Sequence, residues 1–157
     1  MSIEKVREYL KKFKRDEDII ELSESSATVE LAAHALDVEE ARIAKTLSFK
    51  TPDGAILIVT AGDARIDNKK FKQFFGIKAK MLSPDEVIEF TGHAVGGVCP
   101  FAIERSDVNI YLDDSLKRFD TVYPACGSGN SAIKLNCEEL LQYSNATGWV
   151  NVCKIPL

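Results

Sequence analysis

The sequence predicts an α+β fold built on a mixed, mostly antiparallel sheet with flanking helices. Three observations carry this. Short strand-like runs are numerous. A Thr51-Pro52-Asp53-Gly54 turn separates two of them as in a hairpin. Helical segments fall among the strands without the regular strand–helix–strand alternation of a doubly wound sheet.

Taken in order, Ile3, Val6, Leu10 and Phe13 recur at helical spacing and predict an amphipathic helix over 3–14. Ile19 to Leu22 reads as a short strand. Ser25-Ser26-Ala27-Thr28 offers N-caps for a helix over 29–36, and Ala41 to Ala44 reads as one more helical turn. Leu47 to Phe49 and Ala55 to Thr60 form the hairpin. Phe71, Phe74 and Phe75 share one face of a helix over 67–75, which Gly76 stops. A short strand is expected over 77–81. Ser83-Pro84-Asp85-Glu86 then starts a helix with an N-cap, a proline at the first position and a glutamate at the third. Strands follow at 108–112, 121–123 and 131–135. Asn136 caps a helix over 137–143, and residues 149–155 read as a closing strand.

The chain has 157 residues, the length of one domain, and we read 1–157 as a single unit. Its longest apolar run, Ala55 to Val59, falls far short of the roughly 18 residues of a membrane span. The charged, amphipathic N-terminus lacks the apolar segment of a signal peptide. Cys99, Cys126, Cys137 and Cys153 show no metal-ligand spacing, so the expectation is a cytoplasmic protein with reduced thiols, no metal and no cofactor. The formal net charge of −4 argues against holding duplex nucleic acid by bulk electrostatics. Charge is uneven, however. Lys69, Lys70, Lys72, Lys78 and Lys80 crowd one stretch, and Lys11, Lys12, Lys14 and Arg15 another. These are either solvated helix faces or a local basic surface able to meet phosphates.

Standard catalytic motifs are missing: no GxSxG, no GxxxxGK[ST], no HExxH. Asp113-Asp114 reads as a strand end, because neighbouring strand residues face opposite ways. Three features remain. The loop from Gly92 to Phe101 concentrates glycines with His93 and Pro100, and such a loop can present backbone amides to an anion or a polarised carbonyl. His93 could exchange a proton near neutral pH or simply hold the loop. Lys45, flanked by small and apolar residues, either finds an anion or is an exposed strand-end lysine. His34, on a mostly apolar helix, reads as partly buried. Cys99 reads as packing.

Taken together, Ala44-Lys45-Thr46 after a helix, the following hairpin, the Gly96 to Pro100 loop preceded by His93, and the segment Pro124 to Leu135 resemble the YbaK/EbsC family, over roughly residues 20 to 152. That family includes the editing domain inserted in prolyl-tRNA synthetases. The resemblance implies a barrel-like sheet flanked by helices. It also implies hydrolysis of the ester joining a wrong amino acid to tRNA, Cys- or Ala-tRNAPro foremost, by a free-standing enzyme. It assigns Lys45 as the functional lysine. Thr46, His93, Gly96, Gly97, Pro100, Ser128 and Asn130 are its substrate-binding positions. The partners it implies are the aminoacyl-adenosine end of tRNA and an aminoacyl-tRNA synthetase, with no membrane. The loop at Ser128 and Asn130 lacks the arginine of some members, which leaves the amino acid open. Val29, Leu31, Phe49 and Phe101 are candidate pocket residues. Other readings are a catalytically weak tRNA- or synthetase-binding module of the same fold and an unrelated small-molecule hydrolase.

Overall fold

The computed structural model describes residues 2–156. In chain order its elements are α1 (Ser2–Leu10), β1 (Ile20–Glu21), α2 (Val29–Leu36), β2 (Ile43–Thr51), β3 (Gly54–Ala61), β4 (Arg65–Ile66) and α3 (Asn68–Phe75). They continue with α4 (Pro84–Thr91), β5 (Val108–Asp113), β6 (Tyr123–Pro124), β7 (Ser131–Ala132), α5 (Cys137–Ser144), β8 (Gly148–Val150) and β9 (Cys153–Lys154). Short 3-10 turns cover Lys11–Phe13, Asp16–Asp18, Glu40–Arg42 and Asp114–Arg118.

The expected α+β architecture is present. A curled five-stranded sheet, in the order β6-β2-β3-β5-β8, is flanked by helices, and the pairs β1·β7 and β4·β9 lie outside it. The β2–β3 hairpin is antiparallel and has the longest register, from Ala44 opposite Ala61 to Thr51 opposite Gly54. The other three junctions of this sheet, β2·β6, β3·β5 and β5·β8, are parallel. Leu57, Ile58 and Val59 of β3 are fully buried, as suits a central strand covered on both faces. Leu10 of α1, Phe71 of α3 and Leu140 of α5 meet the sheet in one core; Leu82 and Val87 close the opposite face with Leu57.

Helix starts follow local chemistry. Ser83 and Glu86 form a reciprocal capping box, and so do Asn136 and Glu139. Several expected boundaries move. The first helix stops at Leu10, and the chain passes through a 3-10 turn to a left-handed Lys14. Ile43 and Ala44 belong to β2, because β6 pairs with both. The strand expected over 77–81 is not formed. That stretch touches the β2 edge only at its end, where Met81 bridges Phe49, Lys50 N–H donates to Lys80 O at 2.7 Å and Leu82 N–H to Ser48 O at 3.2 Å. The expected strand over 131–135 is regular only at Ser131–Ala132.

The closing strand divides into β8 and β9. Between them Val152 N–H donates to Asp113 Oδ1 at 2.9 Å, and β9 then pairs with β4 instead of β5. Asp113 is 2% exposed and ends β5, as its place in the acidic pair predicts. Its Oδ2 accepts Ser115 N–H at 2.9 Å, and Ser115 Oγ accepts Ala61 N–H at 3.1 Å. Among the described residues no helix is long and apolar enough to cross a membrane.

Candidate functional site

A cavity of about 230 Å³ opens where the N-terminus of α2, the β2 edge, the start of α4 and the glycine loop converge. Its walls are mostly apolar, including Val29, Ala32, Leu82, Val87 and Val98, with Met81 and Val95 exposed at the rim. A larger, more open cleft of about 580 Å³ adjoins it, lined by Glu30, Glu40, Asp63, Arg65 and the Gly62–Ala64 backbone. Lys45, Thr28 and Val29 line both.

Lys45 lies on β2 opposite Thr60. Its ammonium donates to Ala64 O at 2.6 Å and to Gly62 O at 3.4 Å. Burial holds its pKa below the ordinary lysine value, with Arg65 adding to the effect and Asp63 opposing it. Asp63 does not neutralise it, because both carboxylate oxygens accept from the Arg118 guanidinium, at 3.1 and 2.5 Å. Among the described residues no carboxylate pairs with Lys45. Its positive charge is therefore met directly by carbonyl dipoles, with Asp63 acting only from a distance, and remains available to an incoming oxygen.

The glycine loop is built by contacts that only small residues permit. Gly96 has φ +98°, and a Cβ there would sit 3.2 Å from that of Ala27. A Cβ on Gly97 would fall 2.7 Å from the Gly127 carbonyl carbon and the Ser128 nitrogen. The loop is thus pressed against the segment before β7. Gly97 N–H closes a turn onto Ala94 O at 3.0 Å. Among the described residues no intramolecular partner takes the amides of Gly96 or Val98, and both residues line the cavity.

The sequence-predicted residues separate into two groups. Lys45, Thr46 and Gly96 line the cavity. Gly97, His93, Pro100, Ser128 and Asn130 do not; they hold its walls. Ser128 Oγ donates to Asn130 Oδ1 at 2.9 Å and contacts Ser131 Oγ at 2.7 Å, while Asn130 Nδ2 donates to Leu22 O at 3.1 Å. Pro100 is buried and borders a separate surface depression beside Asn109 and Gln142.

His93 is fully buried. Its Nε2–H donates to Phe101 O at 2.8 Å, which fixes the tautomer, so Nδ1 accepts from the Ser2 hydroxyl. Burial lowers its pKa, favouring the neutral ring. Its geometry fastens the loop to α1. Cys99 beside it is buried, and burial pushes its thiol up to about 12, the opposite of a nucleophile. Of the candidate pocket residues only Val29 lines the cavity. Leu31 is exposed, and Phe49 and Phe101 belong to the core. His34, expected to be partly buried, is exposed because it lies on the solvent side of α2, where its side chain reaches towards Glu24.

Ser26 escaped sequence reasoning. Thr28 takes the N-cap role, accepting Leu31 N–H at 3.2 Å, and Ser25 Oγ accepts Ala27 N–H at 3.2 Å. Ser26 is left over. Ser26 Oγ and Thr46 Oγ1 are buried without a hydrogen-bond partner among the described residues, and both residues line the cavity. The serine-rich run was the available signal, but local capping explained it. No three His, Cys, Asp or Glu side chains cluster as a metal site would require, among the described residues.

Comparison with known proteins finds similarity in sequence and in fold. The family described as the aminoacyl-tRNA editing domain matches residues 23–143. The chain is 56% identical over 155 residues to the uncharacterized protein YwhH of Bacillus subtilis (strain 168), spanning 98% of each. It is 34% identical over 91 residues to the proline–tRNA ligase of Thermosipho melanesiensis, a match covering 57% of this chain and 16% of that enzyme. A crystal structure of a proposed trans-editing enzyme for prolyl-tRNA synthetase superposes with a TM-score of 0.87 at 29% identity, covering 98% of this chain and 97% of the other.

Proposed function

The chain belongs to the aminoacyl-tRNA editing domain family, and from that premise we propose that it acts in trans as an aminoacyl-tRNA deacylase in the cytoplasm. The observation that carries this reading is the position of Lys45, a cation with carbonyl partners only, between a small apolar cavity and a wider polar cleft. A cavity of about 230 Å³ is smaller than the usual site for a drug-sized ligand, about 300–1,000 Å³. It suits the aminoacyl group of a small amino acid, with alanine and cysteine on tRNAPro as the first candidates. The adjoining cleft takes the terminal adenosine.

The chemistry needs little more. Water attacks the ester carbonyl carbon, the bond from that carbon to the ribose oxygen breaks, and the ribose oxygen takes up a proton. Amino acid and tRNA leave. The developing oxyanion is met by Lys45 and by the amides of Gly96 and Val98, which act as fixed donors where charge appears. The vicinal ribose hydroxyl of the substrate orients the water. Thr46 bounds the aminoacyl group, while His93, Gly97, Pro100, Ser128 and Asn130 keep the donors in place.

The test is a deacylation panel with Cys-, Ala-, Ser- and Pro-tRNAPro, comparing wild type with Lys45→Ala. Loss of one preformed electrostatic donor slows such reactions by about 10²–10³-fold. Mischarged tRNAs that stay intact with wild-type protein at micromolar concentration would eliminate the proposal. Tight binding without turnover would select a binding module instead.

A further inference from the structure

The five lysines singled out in the sequence are not used by the site as described. They fall in one segment, Asn68 to Met81, which contains no acidic residue in a chain of net charge −4. In the structure this segment is α3 followed by an extended stretch, and it ends at the cavity. Met81 and Leu82 are wall residues, and Met81 is 59% exposed at the rim.

Lys69, Lys72, Lys78 and Lys80 are exposed and enter no ion pair among the described residues. Lys70 is committed elsewhere, donating to Cys153 O at 2.9 Å and Asn151 Oδ1 at 3.2 Å. The nearby acids are also engaged. Asp67 accepts the amides of Lys69 and Lys70, and Glu86 is held by Lys50 at 2.5 Å. Phe74 stands among these lysines, 56% exposed, with its ring packed edge-on to Phe75 and Tyr111. The cleft beside Lys45 carries mixed charge: Glu30, Glu40 and Asp63 line it together with Arg65, and Asp63 is held by Arg118.

We propose that residues 69–80 form the track along which the single-stranded 3′ end of an RNA reaches the cavity, with Lys69, Lys72, Lys78 and Lys80 against successive phosphates and Phe74 as a stacking platform for a base. Exposed lysines flanking an exposed aromatic ring hold single strands without reading sequence. The proposal rests on the deacylase reading for the identity of the RNA end, but the track itself binds without turnover.

The probe is therefore an uncharged, labelled RNA hairpin ending in single-stranded CCA, titrated by fluorescence anisotropy at several salt concentrations. Each lost phosphate contact on a single strand lowers the slope of log K against log salt by about 0.7. K72E/K78E is expected to weaken binding at least tenfold and flatten the slope by the equivalent of two contacts. K72Q/K78Q, which adds no acid, should move both in the same direction by less. F74A should weaken binding without changing the slope. K11E/K12E, in the other basic cluster, should change neither. Wild-type affinity and slope in both lysine double variants overturn the proposal. So does a charged tRNA whose KM is unchanged by K72E/K78E. If RNA binding falls as expected while no charged tRNA is hydrolysed, the track stands and the deacylase reading fails.

Discussion

Gly97 lies against Ser128 so closely that a β-carbon at 97 would come 2.7 Å from the Ser128 amide nitrogen. Two loops separated by about thirty positions are thereby locked face to face, and the cavity wall depends on their fit. Gly97→Ala forces backbone against methyl and should cost about 1–3 kcal/mol, the usual penalty of overpacking. Gly129→Ala meets only Ala27 Cβ, at 3.6 Å, and should stay within about 0.5 kcal/mol. Urea unfolding midpoints of the two variants check the contrast.

Replacing Thr46 by valine should leave the free protein as stable as wild type or more so, by up to about 1 kcal/mol. Its buried hydroxyl has no partner to lose, and an unpaired polar group is itself a cost. Ser26→Ala should behave alike. Both are expected to lower kcat/KM for deacylation. Thermal melts beside initial rates separate the two effects, and a destabilised Thr46→Val would show that the hydroxyl is already paired.

The pH response of stability should carry the signature of His93. Its folded pKa is depressed below the ordinary 6.5, so the folded state resists the proton that the unfolded chain accepts. The stabilisation is complete above 6.5 and is lost as pH falls through the lower folded value. Wild type should therefore weaken as pH falls below about 6.5, and His93→Gln should be less stable at neutral pH with a flatter profile over that range. Denaturant titrations across that range give the slopes directly.

Lys45 should impose a limb on the alkaline side of the deacylation profile. Because burial lowers its pKa, the ammonium is lost at a pH below that of an exposed lysine. After subtraction of uncatalysed ester hydrolysis, the wild-type rate should decline there. Lys45→Arg keeps its charge at any accessible pH, so its residual rate should show no such decline. Parallel profiles for the two proteins would remove the charge of Lys45 from the mechanism.

Much of the fold was written locally and could be read from the chain. The Ser83–Glu86 and Asn136–Glu139 boxes, the Thr51 to Gly54 turn and the Gly76 stop each need only neighbours in sequence. What resisted reading depends on partners far along the chain. Residues 77–81 alternate like a strand, but only their end reaches a free stretch of the β2 edge, the rest of which β6 shares. Residues 149–155 are apolar enough for one strand, yet the Asp113 carboxylate captures Val152 and redirects the chain to β4. The same holds at the site. Lys45 and the Gly96 loop stand out by residue type and Thr46 only through the family resemblance, and all three line the cavity. The burial of His93 follows from Ser2 and Phe101, and the spare hydroxyl of Ser26 emerges only once Thr28 has taken the cap.

Asp113 also sets how the site can fluctuate. Ala61 N–H bonds Ser115 Oγ, Ser115 and Val152 N–H bond the Asp113 carboxylate, and Asp67 N–H bonds Val152 O at 2.8 Å. These bonds bracket residues 62–66, the stretch whose carbonyls hold the Lys45 ammonium. Residues linked this way open as one cooperative unit. The amides of Ala61, Asp67, Ser115 and Val152 should then share one opening free energy in hydrogen exchange, and the seat of the lysine should be lost only when that whole unit opens.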